Sequence, residues 1–236
     1  MTTLDAIKAA LAEQANPRSA SSKQQFFKAF PGGYGGEDTF LSISVPDQRK
    51  ISRSFYATAD LNDLAALLCT RIHEYRLTAL MTLVLKYQKT KLLSEKALYA
   101  EFYLQYLDHV DNWDLVDSSA HLILGDYLLD RDPRKLYQLA ASPNMWHQRI
   151  AMVATYAFIR KGRFELTFEL ALLLMKHPHD LIHKAVGWML REAGNRDFEA
   201  EHRFVDQYCL QMPRTMLRYA IEKFPEELRL NILRRK

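Results

Sequence analysis

Cysteine is almost absent from this chain. It has two, Cys69 and Cys209, in 236 residues. Two distant thiols exclude a disulfide-stapled scaffold and suit a reducing, cytoplasmic compartment. Glycine and proline are scarce as well, eight of each, against a usual combined share of about 12%. Four of the glycines fall in one loop, Gly32, Gly33, Gly35 and Gly36. So few turn residues exclude a many-stranded β fold. The run of roughly 18 uncharged apolar residues that a membrane helix needs is missing. The first residues carry Asp5 early and no long apolar stretch, unlike a secretory signal. A large excess of one charge is also missing: 32 bases against 28 acids leave +4, which is compatible with a nucleic-acid partner and does not demand one.

What the chain does have is apolar content, 48%, with 25% charged residues. That is ordinary for a globular protein and sufficient for a core. Its apolar residues recur at helical spacing. Residues 73–88 carry Leu77, Leu80, Met81, Val84 and Leu85; 113–128 carry Val116, Ala120, Ile123, Leu124 and Tyr127. Residues 148–160 carry Ile150, Val153, Ala154 and Ala157, and 181–192 carry Leu181, Ala185, Trp188 and Met189. Prolines 133, 143 and 225 sit where helices start or stop, as a fixed φ and a missing N–H require.

Pro143, Pro178 and Pro213 are 35 residues apart. Each precedes an amphipathic helix, and each such helix follows another, near 132–141, 164–176 and 196–211. A two-helix unit of this period predicts an all-α, HEAT-like helical-repeat solenoid with a concave groove. We expect one domain over 1–236 and a monomer. Lining up the second helices brings one polar residue of each to an equivalent point: Arg76, Asp117, Arg149, Lys184 and Arg218. The steps are 41, 32, 35 and 34 residues. If these positions line the groove, it is cationic with one carboxylate in it. The same pattern equally describes charges that bond neighbouring repeats, with Asp117 paired to Arg149. Residues 213–236 add seven bases (Arg214, Arg218, Lys223, Arg229, Arg234, Arg235 and Lys236) against three acids, of which the last three bases read as a solvated helix end.

Trp113 and Asp117 are four residues apart, as are Lys184 and Trp188, and Arg191 is three beyond Trp188. On a helix these are neighbours. Trp146 reads as core; taken singly, Trp113 and Trp188 do too. Together with their charged neighbours, and with the blocks Val45–Lys50, Asn112-Trp113-Asp114-Leu115-Val116-Asp117, Trp146-His147-Gln148-Arg149-Ile150-Ala151 and Lys184–Glu192, the chain resembles the AlkD-type alkylpurine DNA glycosylases from about Asn16 to Phe224. The resemblance implies hydrolysis of the N-glycosidic bond of N3- and N7-alkylated purines in duplex DNA, with no cofactor and no metal. It implies Asp117 as the catalytic carboxylate, Trp113 and Trp188 as the aromatics flanking the deoxyribose, and Arg149 as the grip on the backbone. Lys184, Arg191, Arg218 and Arg76 are the further candidate DNA contacts. The family acts with the base still stacked, which implies tolerance of bulky alkyl groups. Two departures stand out: the glycine loop is longer than in compact members, and Ser42 stands where the pattern has Gly.

This chemistry suits these residues. A cationic alkylpurine leaves as a neutral base, so no acid has to protonate it. Positive charge moves to the sugar, where a fixed carboxylate stabilises it and activates water. Indole faces add a weaker cation–π attraction. Other signals are weaker. The glycine loop lacks the Gly-Lys-Ser/Thr of a phosphate loop and reads as a mobile connector. His177, His179 and His183 have no accompanying metal-ligand set. Cys69 and Cys209, among apolar helix residues, read as core. A DNA-binding module without catalysis and a protein-interaction solenoid are the competing readings.

Overall fold

The computed structural model describes residues 1–235, the side chain of Pro17 excepted; Lys236 of the basic tail lies outside the described residues. The chain is all-helical. Among the described residues the single β feature is an isolated parallel bridge between Thr39 and Ile72. Its contacts group into two compact units, residues 1–119 and those from 120 onward.

The first unit holds α1 (Thr3–Glu13), α2 (Ala20–Phe26), α3 (Val45–Phe55), α4 (Leu61–Leu68), α5 (His73–Lys89), α6 (Leu93–Gln105) and α7 (Trp113–Asp117). Side-chain caps start several of them. Thr2 with Asp5, and Asp60 with Asp63, form reciprocal capping boxes on α1 and α4, satisfying amide donors that a helix start leaves unpaired. α5 packs against α1, α3, α4, α6 and α7. Its burial is correspondingly wider than the stripe expected: Leu83 and Tyr87 are buried with Leu77, Leu80 and Val84, while Met81 and Leu85 are half-buried. A helix surrounded by neighbours is buried on most of its circumference, and α5 buries His73, Glu74, Arg76, Thr78 and Thr82 as well.

The second unit holds α8 (Asp126–Leu128), α9 (Arg134–Ala140), α10 (Met145–Ala154), α11 (Tyr156–Ile159), α12 (Glu165–Leu174), α13 (Asp180–Gly194), α14 (Phe198–Tyr208), α15 (Arg214–Ala220) and α16 (Glu226–Arg234). The repeat read from the prolines is real: α10, α13 and α15 start at Met145, Asp180 and Arg214 and are preceded by α9, α12 and α14. α13 packs on α10, α12, α14 and α15. Its approach to α15 is so close that a Cβ at Gly187 would stand 2.5 Å from the Met216 carbonyl oxygen, so only glycine fits there.

Three expectations need correction. The helix expected over 113–128 is broken: α7 stops at Asp117, a turn follows, and His121–Gly125 is a π-helical turn closed by Gly125 N–H to the Ala120 carbonyl at 2.9 Å. Ser118 and Ser119 donate their hydroxyls to the Asp114 and Leu115 carbonyls, each at 2.6 Å, occupying acceptors of the helical ladder. Cys69 is exposed, its Sγ 3.6 Å from His109 Nε2, while Cys209 is buried. The glycine loop, expected as a mobile connector, is packed closely at Gly33 and Gly35, while a Cβ at Gly32 or Gly36 would meet nothing within 4 Å. Gly33 and Gly35 lie so near the end of α2 that a Cβ would come within 2.0 Å of the Lys28 carbonyl and 2.3 Å of that of Phe27.

Candidate active site

α7 begins at Trp113, where the Asn112 side chain accepts the Trp113 N–H at 2.8 Å. Leu115 and Val116 point into the core at 0% exposure. Trp113 and Asp117, on the other side of this short helix, are half-buried. Their four-residue spacing therefore does put both on one accessible face, as expected. Trp113 is held within a group of rings: it stacks on Phe27 at 5.3 Å and meets exposed Phe26 edge-on at 5.6 Å. Near Asp117 lies the Tyr103 hydroxyl, 3.0 Å from that of Ser119. Burial, and then the charge of Asp117, raise the Tyr103 phenol, so it stays protonated and neutral.

Beneath α7 is a charged network that sequence reasoning missed. His73, the first residue of α5 and 2% exposed, places Nε2 2.8 Å from an Asp114 oxygen and Nδ1 3.2 Å from one of Asp38. Burial opposes its charge, but the bonds to Asp114 and Asp38 prevail and lift it to about 9. One turn further on, Arg76 pairs with Asp38 and Asp111 and donates to the His109 carbonyl. Arg76 is 0% exposed. This corrects its assignment as a DNA contact: both its carboxylate partners lie inside the first unit, so its charge holds helices together. The same unit explains Ser42. Its φ of +60° is left-handed, the region that glycine enters without a steric cost. Glu74 oxygens accept the Leu41 and Ser42 N–H groups at 2.9 and 2.8 Å and hold the turn.

In the second unit Arg149 is buried, 5% exposed, and donates to the Leu181 carbonyl at 2.5 Å, tying α10 to the start of α13. Trp146 is buried, as expected. The buried stripe of α13 runs through Ile182, Ala185, Val186, Met189 and Ala193. Ala185 and Met189 are buried as expected, but Leu181 and Trp188 are not, which leaves Leu181, Lys184, Trp188 and Arg191 together on a half-buried flank. Trp188 donates its indole N–H to Glu192 at 3.0 Å. Lys184 pairs with Asp180 at 2.9 Å, the two side chains 39% and 53% exposed. Arg191 pairs with Glu222, and Arg218 is exposed. A solvent-accessible pair such as Lys184–Asp180 contributes roughly 0–1 kcal/mol. His179 caps α13 by accepting the Leu181 N–H, and His177 accepts that of His179. Their spacing thus serves a helix start, and no group of three or more possible metal ligands occurs among the described residues.

What signalled the missed residues is only that Asp114 lies inside the Trp113–Asp117 block. Its partner His73 is 41 residues away and Asp38 is 35 from His73, beyond any helical spacing. Comparison with known proteins agrees with these helices. The model of the family described as DNA alkylation repair enzyme matches residues 7–224. No curated protein matches the chain. A solved structure from Enterococcus faecalis, described as a predicted DNA alkylation repair enzyme, superposes with a TM-score of 0.68 at 17% identity, covering 90% of this chain and 98% of that one.

Proposed function

The chain belongs to the DNA alkylation repair enzyme family, and from that premise we propose that it is a glycosylase that removes cationic N3- and N7-alkylated purines from duplex DNA. The observation that carries this reading is the pairing of Trp113 and Asp117 on the half-buried face of α7. In this mechanism the damaged purine departs as a neutral base, and its C1′–N bond electrons go to the base. The sugar acquires oxocarbenium character. Asp117, negatively charged and partly withdrawn from water, stabilises that charge and takes a proton from the water that adds to C1′. Trp113 offers its ring face to the same cation, a contribution of roughly 1 kcal/mol. Trp188 is assigned the second aromatic role.

Lys184, Arg191 and Arg218 are assigned to phosphates, where they give affinity without reading sequence. Arg149 is assigned, from the family resemblance alone, a grip on the backbone close to the lesion. Such binding weakens steeply with salt. Salt-insensitive or absent DNA binding would instead favour a protein-interaction solenoid.

The test is release of 7-methylguanine from methylated duplex DNA. Asp117→Asn is expected to lower the single-turnover rate about 100- to 1000-fold while the DNA Kd stays close to the parent's. Unchanged release by this variant would remove Asp117 from the chemistry. DNA binding with no release by the parent would favour the non-catalytic module. Efficient excision of uracil or hypoxanthine, whose leaving groups carry no charge, would contradict the mechanism.

A further inference from the structure

We propose that His73 is a positioning residue for this reaction: clamped between Asp38 and Asp114, its ring holds α7, and with it Trp113 and Asp117, in the working position. The inference rests on the glycosylase reading above for its catalytic consequence, and on the geometry of the first unit for the clamp itself.

α7 has five residues, too few to be stable as a helix alone. Its position is decided by what holds it. The chain entering it is anchored on both sides of its cap residue Asn112: Asp111 by Arg76, and Asp114 by His73. Both cations project from α5, the most enclosed helix of the unit. A carboxylate at each ring nitrogen requires both nitrogens to donate, and only the imidazolium has two N–H groups. Neutral His73 can satisfy Asp38 or Asp114, not both.

The groups facing His73 are Asp38 from the segment before α3, Asp114 from α7 and Arg76 from its own helix. Two uncharged rings also lie against it, Phe27 at 4.5 Å and Phe40 at 5.0 Å. Phe27 stacks on Trp113 in turn. A displaced His73 therefore disturbs Trp113 by two routes, through Asp114 in the backbone of α7 and through Phe27 against its ring. The glycine loop has a role in this arrangement. Folded tightly on α2, it leads into Asp38 and Thr39, and Thr39 is bonded to the start of α5 on both sides, to Arg71 and to His73, each at 2.9 Å. His73 itself, 2% exposed, touches no substrate and acts only through α7.

Two readouts test this. The first follows Trp113 alone, in the chain carrying Trp146→Phe and Trp188→Phe, by acrylamide quenching across a pH titration. Quenching is expected to rise as His73 loses its proton near pH 9, and His73→Phe is expected to show the raised value already at neutral pH. Asp114→Asn keeps an acceptor for the ring but loses the charge. It is expected to move the transition down by about one pH unit or more, a change that a purely space-filling ring would not produce. The second readout is base release in the otherwise native chain. His73→Phe is expected to slow the single-turnover step about 100-fold with the DNA Kd nearly unchanged.

Quenching and release that both ignore His73→Phe would overturn the proposal, as would a transition that Asp114→Asn leaves in place. If His73→Phe does not fold, the Asp114→Asn titration decides alone. A parent chain that releases no base while Trp113 responds as described would sink the glycosylase reading and uphold the clamp.

Discussion

His73 in the first unit and Glu201 in the second are both buried, each 2% exposed, and each releases its proton only near pH 9. His73 reaches that value because partners outweigh burial. Two carboxylates stabilise its charged form. Glu201, on α14, reaches it because partners are lacking. Burial disfavours its charged form, the attraction of Arg191 is too weak to reverse this, and Glu192 adds repulsion. One of its oxygens has no hydrogen-bond partner, and its carboxyl lies where a Cβ on Gly194 would be. The same proton affinity thus reports a built charge network in one place and an uncompensated acid in the other. Burial of a charge is tolerated where it is paired and drives neutralisation where it is not.

The largest effect is expected from breaking the network. Arg76→Ala leaves Asp38 and Asp111 without their guanidinium, and losing one partner of a buried pair costs about 3–5 kcal/mol. Urea unfolding at neutral pH measures it; a loss below about 1 kcal/mol would mean water replaces the arginine and the network holds little.

His73 comes next. Its pKa is raised above 6.5, so its contribution is fully present below that pH and is lost as pH climbs through about 9. At neutral pH this is about 3 kcal/mol. His73→Phe should therefore be destabilised at neutral pH and approach the parent above pH 9 in paired unfolding curves. A constant difference at every pH would assign the effect to packing.

Glu201 should respond with the opposite sign. Its pKa is also raised, from 4.5 to about 9, so the parent loses stability over that interval as pH rises. Glu201→Met removes the ionising group and should stabilise the chain at neutral pH by about 3 kcal/mol, an advantage that shrinks as pH falls toward 4.5. Destabilisation at neutral pH would show that the carboxyl has a partner in solution. The smallest effect belongs to Ser42→Gly. Glycine accepts the left-handed φ of +60° and removes a buried hydroxyl oxygen without a partner, for an expected gain of about 1 kcal/mol. A lower melting temperature in this variant would mean that the Glu74 bonds already relieve the strain.

Much of the helical framework was legible in the chain itself. Proline spacing located α10, α13 and α15 and the helix preceding each, and apolar periodicity located α5. The four-residue spacing of Trp113 and Asp117 placed them on one face of α7, and that of Lys184 and Trp188, with Arg191 beyond, placed these on one flank of α13. What periodicity could not distinguish was a charge at a surface from a charge inside. Arg76, Arg149 and Lys184 occupy equivalent points in the repeat, yet the first is enclosed by two carboxylates, the second is bonded to a backbone carbonyl and the third is half-buried and paired with Asp180. The serines after Asp117 also ended α7 sooner than its apolar pattern suggested.

Local spacing determined helices, their repeat and which residues share a face, because a helix imposes its own geometry within a few residues. Tertiary structure alone decided which charges are paired. Asp38, His73, Arg76, Asp111 and Asp114 meet only when segments some 33 to 41 residues apart close on one another, and the energy of a buried charge depends on the partners that this closure brings.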